Sequence, residues 1–341
     1  MRYKNPYAVI IILNWNKYSD TIQCLHSIYN MDYLHFSVLV IDNASDDGSV
    51  EKIKLEFPDL WLIANEENVG FTGGNNQGIE LALSKGADYV WLLNNDTVVE
   101  VETLSSLVDA AEQSSDIGMA SPAVNYYDSP HLAQFNGSKV DWDKLEIDIP
   151  GSADDMYEYT DGPNVCLWGT ALLIKRELIE KIGYLNEGYF AYFEDTEYSL
   201  RALRAGFRNK VVLHTKILHK TPPPDNNNSI RNSYFYYYMI RNRYLMWKGL
   251  SGDKKYIFQM LCRHAISWAE KLKAAGKFEH SWDCIEGFYD AVTGVTGKKP
   301  LVRRVPPWCV GVFTWHPYLF LNLFSGNFRT VWAQLLAKLK F

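Results

Sequence analysis

Polar residues able to do chemistry gather in this sequence at four places, each following an apolar run: Asn14-Trp15-Asn16, Asp42-Asn43-Ala44-Ser45, Asn68 to Asn76, and Asn94-Asn95-Asp96. A divalent cation is commonly held by one or two carboxylates together with phosphate oxygens and water, which suits Asp96 to hold Mg²⁺ or Mn²⁺ against a diphosphate. The competing reading makes Asn94 to Asp96 a turn that caps a helix starting near Val101. The carboxylate of Asp42 could accept the N–H of a uracil or thymine ring, and an Asx turn explains the same Asp-Asn pair equally well. Gly70-Phe71-Thr72-Gly73-Gly74-Asn75-Asn76 reads as a loop opening a helix, where backbone N–H groups can approach an anion. It lacks the spacing of dinucleotide-binding glycines and the G-K-[ST] ending of a P-loop.

Two further positions stand out. Glu194-Asp195 lies between Phe190, Tyr192 and Phe193 and a helical stretch with Glu197 and Arg201 at i,i+4. An acidic pair in apolar surroundings is where a general base can be tuned; a helix N-cap is the other use of Asp195. His219 ends a strand-like run, either as a structural residue or as a metal ligand.

The elements that must position these groups alternate. Strand-like Ala8–Leu13, Val38–Ile41, Leu60–Ala64 and Tyr89–Leu93 are separated by helix-like Thr21–Tyr29, Ser49–Phe57 and Asn76–Lys85, the pattern of βαβ units in an α/β fold with a mainly parallel sheet. In such sheets ligands bind beyond the carboxyl ends of the strands, where the polar clusters fall. From Ser121 to Pro163 loops and short strands are expected over the site. Glu177–Ile182 and Thr196–Ala205 read as helices and Lys210–Leu218 as a strand. The run PPPDNNN within Thr221–Asn228 has linker chemistry, giving a catalytic domain over 1–225 and a helical, aromatic-rich C-terminal extension over 226–341.

Bulk properties narrow the function. With 34 basic and 40 acidic side chains the net charge is −6, which excludes a nucleic-acid binder of the basic-face type. The end of the chain is locally basic, with no Asp or Glu after Asp290. Five cysteines without a C-x-x-C pair suggest neither a disulfide framework nor a thiolate zinc site and fit a reducing cytosol. No signal peptide is read at the N-terminus. The longest apolar stretch, Trp308–Phe324, is interrupted by His316 and Pro317 and is shorter than the ~20 residues of a spanning helix. Trp332, Leu335, Leu336 and Leu339 at helical spacing, beside Arg329, Lys338 and Lys340, suit either a peripheral contact with an anionic membrane or packing on the catalytic domain or on a second subunit.

In order along the chain, IILNWN, VIDNASDDGS, ENVGFTGGNNQGI, LLNNDTVV, LWGTALLIKR, GYFAYFEDTEYSLRALRAGF, ILHK and YYYMIRNRYLM resemble the family-2 inverting glycosyltransferases of GT-A fold, particularly the rhamnosyltransferase-like branch. The resemblance covers roughly Tyr7 to Leu250. It implies a GT-A type nucleotide-binding domain in which Asn14 and Asn16 border the nucleotide, Asp42 contacts the base, and Asn68, Gly70, Gly73, Gly74 and Asn76 line the nucleoside pocket. Asn94, Asn95 and Asp96 stand at the DxD position, with Asn95 on the nucleotide side, Asp96 as metal ligand, and Asn94 and His219 beside it. Asp195 stands at the position of the catalytic base, and Trp168, Gly169 and Glu194 face the acceptor and donor sugar. The DxD position has one carboxylate fewer than usual, Asn75 stands where many relatives carry Arg, and Glu197 replaces Asp.

The activity implied is transfer of a hexose, with rhamnose favoured, from a dTDP- or UDP-linked donor to a saccharide or lipid-linked acceptor of cell-surface glycan synthesis, with inversion. The place implied is the cytoplasm, at the inner face of the cell membrane if the tail binds lipid. Two rivals are a sugar-nucleotide pyrophosphorylase, whose N-terminal glycine-rich loop is replaced here by Asn-Trp-Asn, and an inactive nucleotide-sugar-binding protein, against which Asp96 and Asp195 argue.

Overall fold

The computed structural model describes residues 5–150, 159–222, 233–302 and 305–306. The expected tail helix around Trp332, the apolar stretch from Trp308 and most of the expected linker lie outside the described residues. The chain forms two compact units, Met1–Asn228 and Ser229–Phe341.

The first unit begins with β1 (Ala8–Asn14), α1 (Tyr18–Tyr29), β2 (Phe36–Asp42), α2 (Ser49–Glu56), β3 (Trp61–Ala64), α3 (Gly70–Ser84) and β4 (Tyr89–Asn94). The strands lie in the order β3-β2-β1-β4, all parallel. β1 and β4 are buried along nearly their whole length, which is why both read as continuous apolar runs rather than as an alternation. The chain continues with β5 (Thr97–Val99), α4 (Thr103–Glu112), β6 (Ile117–Tyr126), β7 (Ser129–Phe135), β8 (Ser138–Asp141), β9 (Glu146–Asp148), β10 (Val165–Cys166), β11 (Ala171–Lys175), α5 (Arg176–Ile182), α6 (Glu194–Arg204) and β12 (Arg208–His219). The main sheet runs on from β4 through β11, β6 and β12 to β5, with β7 on β6. β11 is antiparallel to both its neighbours, β12 is parallel to β6, and β12 is antiparallel to β5. β10, β8 and β9 make a small separate sheet.

Three local expectations are corrected. The glycine run is not a loop before a helix: α3 starts at Gly70 and contains it. Glycine disfavours helix by roughly 1 kcal/mol per residue, but here packing overrides propensity. A Cβ on Gly74 would lie 2.3 Å from Leu13 Cδ1, and one on Gly78 2.7 Å from Ile11 Cγ2, so the missing side chains let α3 lie close on β1. Second, the segment from Ser121, expected as loops and short strands, holds the short β7, β8 and β9 but opens with the end of the ten-residue β6, which runs to Tyr126 in the interior of the sheet. Pro122 is accommodated there since the register with β12 shifts between Val212 and Lys216, the irregularity at which a proline without an N–H is tolerated. Third, Asn94 to Asp96 do not cap a helix. They turn from β4 into the three-residue β5, and α4 starts only at Thr103.

The second unit is built on α7 (Ser233–Leu250), α8 (Lys254–Ala274) and α9 (Phe278–Thr293). Its apolar core joins Tyr236, Ile240, Leu261, Ala265, Ile285 and Phe288. Gly287 lets α9 approach α7, where a Cβ would come within 2.4 Å of the Tyr237 carbonyl oxygen. A buried polar group accompanies this core. Tyr237 donates to Asp290 at 2.6 Å, Arg241 donates to the Gly297 carbonyl at 2.6 Å, and Lys299 pairs with Asp283 and, at 3.0 Å, with Glu286. No helix among the described residues is long and apolar enough to cross a membrane.

Candidate active site

The carboxyl ends of β1, β2 and β4 carry a connected polar floor. Asn14 is 0% exposed; its amide donates to Asp42 Oδ2 at 2.6 Å and to Ser45 Oγ at 3.1 Å, and its carbonyl oxygen accepts from Thr21 Oγ1 at 2.7 Å. Asn95 folds back onto this group, donating to Thr21 Oγ1 at 3.0 Å. Asp42, 1% exposed, accepts from Ser45 N at 2.8 Å and from Ser45 Oγ at 2.7 Å. Its carboxylate thus takes one donor on Oδ1, from the backbone three residues on, and two on Oδ2, from Asn14 and Ser45, which leaves an acceptor site on Oδ1. Asn16, with φ at 54°, donates its N–H to Ser45 Oγ at 2.9 Å and accepts from Asp46 N at 2.8 Å. Trp15 between them is 51% exposed. The sequence reading missed Thr21 and gave Ser45, named in the polar cluster, no role of its own; the spacing of Ser45 three residues after Asp42 is the usable signal.

Next to the floor, Asn68 Oδ1 accepts from Gly70 N at 2.8 Å and from Asn43 Nδ2 at 3.3 Å. Asn43 also donates to the Gly70 carbonyl at 3.0 Å and accepts from Asn65, so it ties the start of α3 to β2. Gly70 needs its type twice: φ is +82°, and a Cβ would lie 2.5 Å from the Phe190 ring. Gly73 and Gly74 are buried inside α3. Asn76 turns away from the floor and bonds Leu185 and Glu187.

Pairing of β5 with β12 sets Thr97 opposite His219, which brings His219 Nε2 to 3.1 Å from Asp96 Oδ1. The Lys220 N–H extends the ladder onto the Asp96 carbonyl at 2.9 Å. Burial works against ionisation of Asp96, but the hydrogen bond and charge of His219 outweigh it and hold the carboxyl below its usual range. On its other side His219 Nδ1 lies 2.8 Å from Gln134 Oε1. When Nδ1–H donates to Gln134, the Nε2 lone pair faces a carboxylate oxygen, an arrangement satisfied by a proton or by a cation between them. An oriented imidazole beside a partly exposed carboxylate fits a divalent metal, and the partner on Nδ1 is the kind that orients ligating histidines. Among the described residues no three His, Cys, Asp or Glu converge, so phosphate oxygens and water would complete the coordination. Asn94 is fixed through its backbone, its N–H on Thr170 and its carbonyl on Thr97 Oγ1. Gln134 and Lys220, whose ammonium is held 2.6 Å from Asp20, were not among the sequence candidates.

The acidic pair opens α6, but the N-cap is Phe193, without a side-chain capping bond. Asp195 is thus not the N-cap. Its Oδ2 accepts from Gly169 N at 2.7 Å and its Oδ1 from Thr196 N at 2.6 Å. Burial pushes its pKa up, against these hydrogen bonds. Burial and the neighbouring Asp195 push Glu194 well above the usual carboxylate range; it is 6% exposed, and its Oε2 has no hydrogen-bond partner. Glu197 lies 2.8 Å from Arg201 Nε, yet burial still raises its pKa. Gly169 leaves room for this contact, since a Cβ there would lie 3.3 Å from Asp195 Cβ. Trp168 stacks on Phe135 with centroids 4.3 Å apart. Before the pair, Phe190, Tyr192 and Phe193 all have positive φ, at about 1–3 kcal/mol of strain each.

Residues 9–183, just over half of the chain, match the family described as Glycosyl transferase family 2. The Low-salt glycan biosynthesis hexosyltransferase Agl10 of Haloferax volcanii is 28% identical over 204 residues, covering 57% of this chain and 61% of its own length. The N-acetylglucosaminyl-diphospho-decaprenol L-rhamnosyltransferase of Mycobacterium tuberculosis is 26% identical over 203 residues, covering 54% of this chain and 66% of its own. The chain therefore spans less than two thirds of either relative. Among solved structures, that of GalNAc-T7 with UDP, GalNAc and Mn²⁺ superposes with a TM-score of 0.60 at 17% identity, covering 86% of this chain and 58% of that one, a likeness of fold.

Proposed function

The chain belongs to glycosyl transferase family 2, and from that premise we propose that it transfers a hexose from a dTDP- or UDP-linked donor to a saccharide or lipid-linked acceptor, with inversion and with a divalent metal. The observation that carries the proposal is the pairing of Asp96 with His219 at 3.1 Å beside the polar floor at the strand ends. When bound there, Mg²⁺ or Mn²⁺ would supply positive charge to the departing diphosphate. Asp96 and His219 would hold it, and Gln134 would keep the imidazole oriented.

Asn16 and Ser45, backed by the buried Asn14, would form the wall against which the nucleoside lies, with the start of α3 close to it. Asp195 would take the proton of the acceptor hydroxyl as that oxygen attacks the anomeric carbon from the face opposite the leaving diphosphate. One displacement inverts the configuration, and no covalent sugar–enzyme intermediate is required. Rhamnose is favoured as the sugar because the relatives include a rhamnosyltransferase.

The test screens nucleotide sugars by thermal shift with and without Mn²⁺, since a ligand that binds only the native state stabilises it by RT ln(1 + [L]/Kd). The donors that shift the protein are then assayed for nucleoside diphosphate release, and the anomeric configuration of the product is read by NMR. A metal-dependent shift by dTDP- or UDP-sugars and an inverted product support the proposal. Retained configuration, or full turnover in EDTA, refutes the corresponding part.

A further inference from the structure

Asn76 lies in the glycine-rich helix α3, yet its side chain serves a distant segment. It is 6% exposed. Its amide donates to the Leu185 carbonyl at 2.9 Å and to Glu187 Oε1 at 3.0 Å, and its carbonyl oxygen accepts from Leu185 N at 3.0 Å. Both donors and one of two acceptor positions are thereby used, which leaves little for a nucleotide.

The backbone beyond Leu185 leads to Asp195 through a series of tight turns. Asn186 Oδ1 accepts from Gly188 N, and the Phe190 N–H donates to the Glu187 carbonyl at 3.2 Å. Ala191 N then donates to the Tyr189 carbonyl at 2.8 Å across Phe190, whose φ of 66° and ψ of −56° mark a γ-turn of the rare, strained hand. That turn aims the Phe190 carbonyl at the N-terminus of α3, where it accepts from Phe71 N at 2.7 Å and Thr72 N at 3.3 Å. Tyr192 and Phe193, also at positive φ, lead straight into Glu194 and Asp195. A backbone in such conformations persists only where its surroundings hold it. Two anchors on α3 do so here, the Asn76 clamp at one end and the Phe190 carbonyl at the other.

We infer that Asn76 is a positioning residue for Asp195: by pinning Leu185 and Glu187 to α3 it holds the strained segment that presents the base, and it does not bind the nucleotide. The inference rests on the reading of Asp195 as the base. It makes the glycine-rich helix the common support of the donor side and the acceptor side of the site.

The experiment is Asn76→Asp in the full chain. This change keeps an acceptor for Leu185 N, removes both donors and sets a carboxylate against Glu187. Calorimetric affinity for UDP and dTDP with Mn²⁺ should stay within about twofold, while kcat falls by about tenfold or more. Amide exchange over Leu185–Asp195 should rise by about tenfold. Adding Glu187→Gln returns a donor to the pair and should recover part of both losses, a rescue that a nucleotide ligand would not show. Glu187→Ala, which leaves Leu185 clamped, should move the same readouts in the same directions by less, and it serves if the first variant does not fold. Lost nucleotide affinity with kcat and exchange unchanged would overturn the inference, as would unchanged exchange alone. A wild-type protein that transfers no sugar would instead defeat the proposed function, while the exchange comparison would still decide the clamp.

Discussion

Replacing Asp195 by Asn separates chemistry from structure, and the hydrogen bonds around it set both magnitudes. Each carboxylate oxygen accepts from a backbone N–H, that of Gly169 at 2.7 Å and that of Thr196 at 2.6 Å. An amide can reproduce only one of these acceptors, and its NH₂ would then face the other N–H. The variant should lose about 1–3 kcal/mol of stability from the bond broken and the donor left unpaired. For a domain of this size that is a drop in Tm of roughly 2–12 °C. Removing a general base should lower kcat by about 10²–10⁴, equivalent to about 2.7–5.4 kcal/mol on the barrier. The assay measures nucleoside diphosphate release well below the variant's Tm, with circular dichroism to establish that it is folded and calorimetry to establish donor affinity. In the wild type, kcat/KM should rise with pH through a midpoint above the usual Asp range, because burial raises the Asp195 pKa and the base must be ionised. A folded Asp195→Asn protein within about threefold of the wild-type rate would refute the assignment. Glu194 and Glu197 would be the next candidates, and Glu197 is already committed to Arg201.

Glu194→Gln tests the buried acid beside the base. Its pKa is raised on folding, so its contribution to stability is full below the unfolded value of about 4.3 and is lost as pH rises through the folded value; the variant should have a higher Tm than wild type near neutrality and a flatter Tm–pH curve above about pH 4.5. A Tm difference independent of pH would contradict this. His219→Ala should weaken Mn²⁺ binding in the presence of UDP by about tenfold or more, read by electron paramagnetic resonance, and Gln134→Ala should weaken it less; unchanged affinity would remove His219 from the site. Gly70→Ala meets both a positive φ and the Phe190 ring and carbonyl at 2.5–2.6 Å, whereas Gly86→Ala at φ +86° meets nothing within 4 Å. Urea unfolding should therefore show a loss of about 1–2 kcal/mol for Gly86→Ala and clearly more for Gly70→Ala, and equal losses would defeat the packing argument.

β1 and β4 were legible because a strand buried on both faces leaves an uninterrupted apolar run, and the polar residues that follow such runs mark where a ligand can lie. Asp96 was singled out on those grounds and Asp195 as one of an acidic pair beside aromatic residues, each sharpened by the family resemblance. The partner of Asp96 was suggested by resemblance alone, since β5 is three residues long and leaves no periodicity to read; only its pairing with β12 reveals why His219 stands beside that carboxylate. The glycine run misled about α3 because propensity is local while the contacts of Gly74 with Leu13 and of Gly78 with Ile11 are not. Pro122 hid β6 for the same reason. Asn76 was grouped with its sequence neighbours, although its bonds go to residues more than a hundred positions away. The basic, aromatic tail lies outside the described residues, and its membrane reading stands as an expectation.

The β5–β12 pairing also bears on how the protein reaches its native state. β1 and β2, and β2 and β3, are neighbours joined by single helices, so that part of the sheet can assemble from contacts close in the chain, whereas β4 returns to pair with β1. Asp96 and His219 meet only after β12, the last strand of the main sheet in chain order, has docked beside β6 and taken β5 along its edge. Closing so long a loop costs entropy, so this pairing is expected to follow the local ones. A metal that binds only the completed pair would pull the docking equilibrium toward the native sheet, and recovery of metal affinity during refolding would time the arrival of β12.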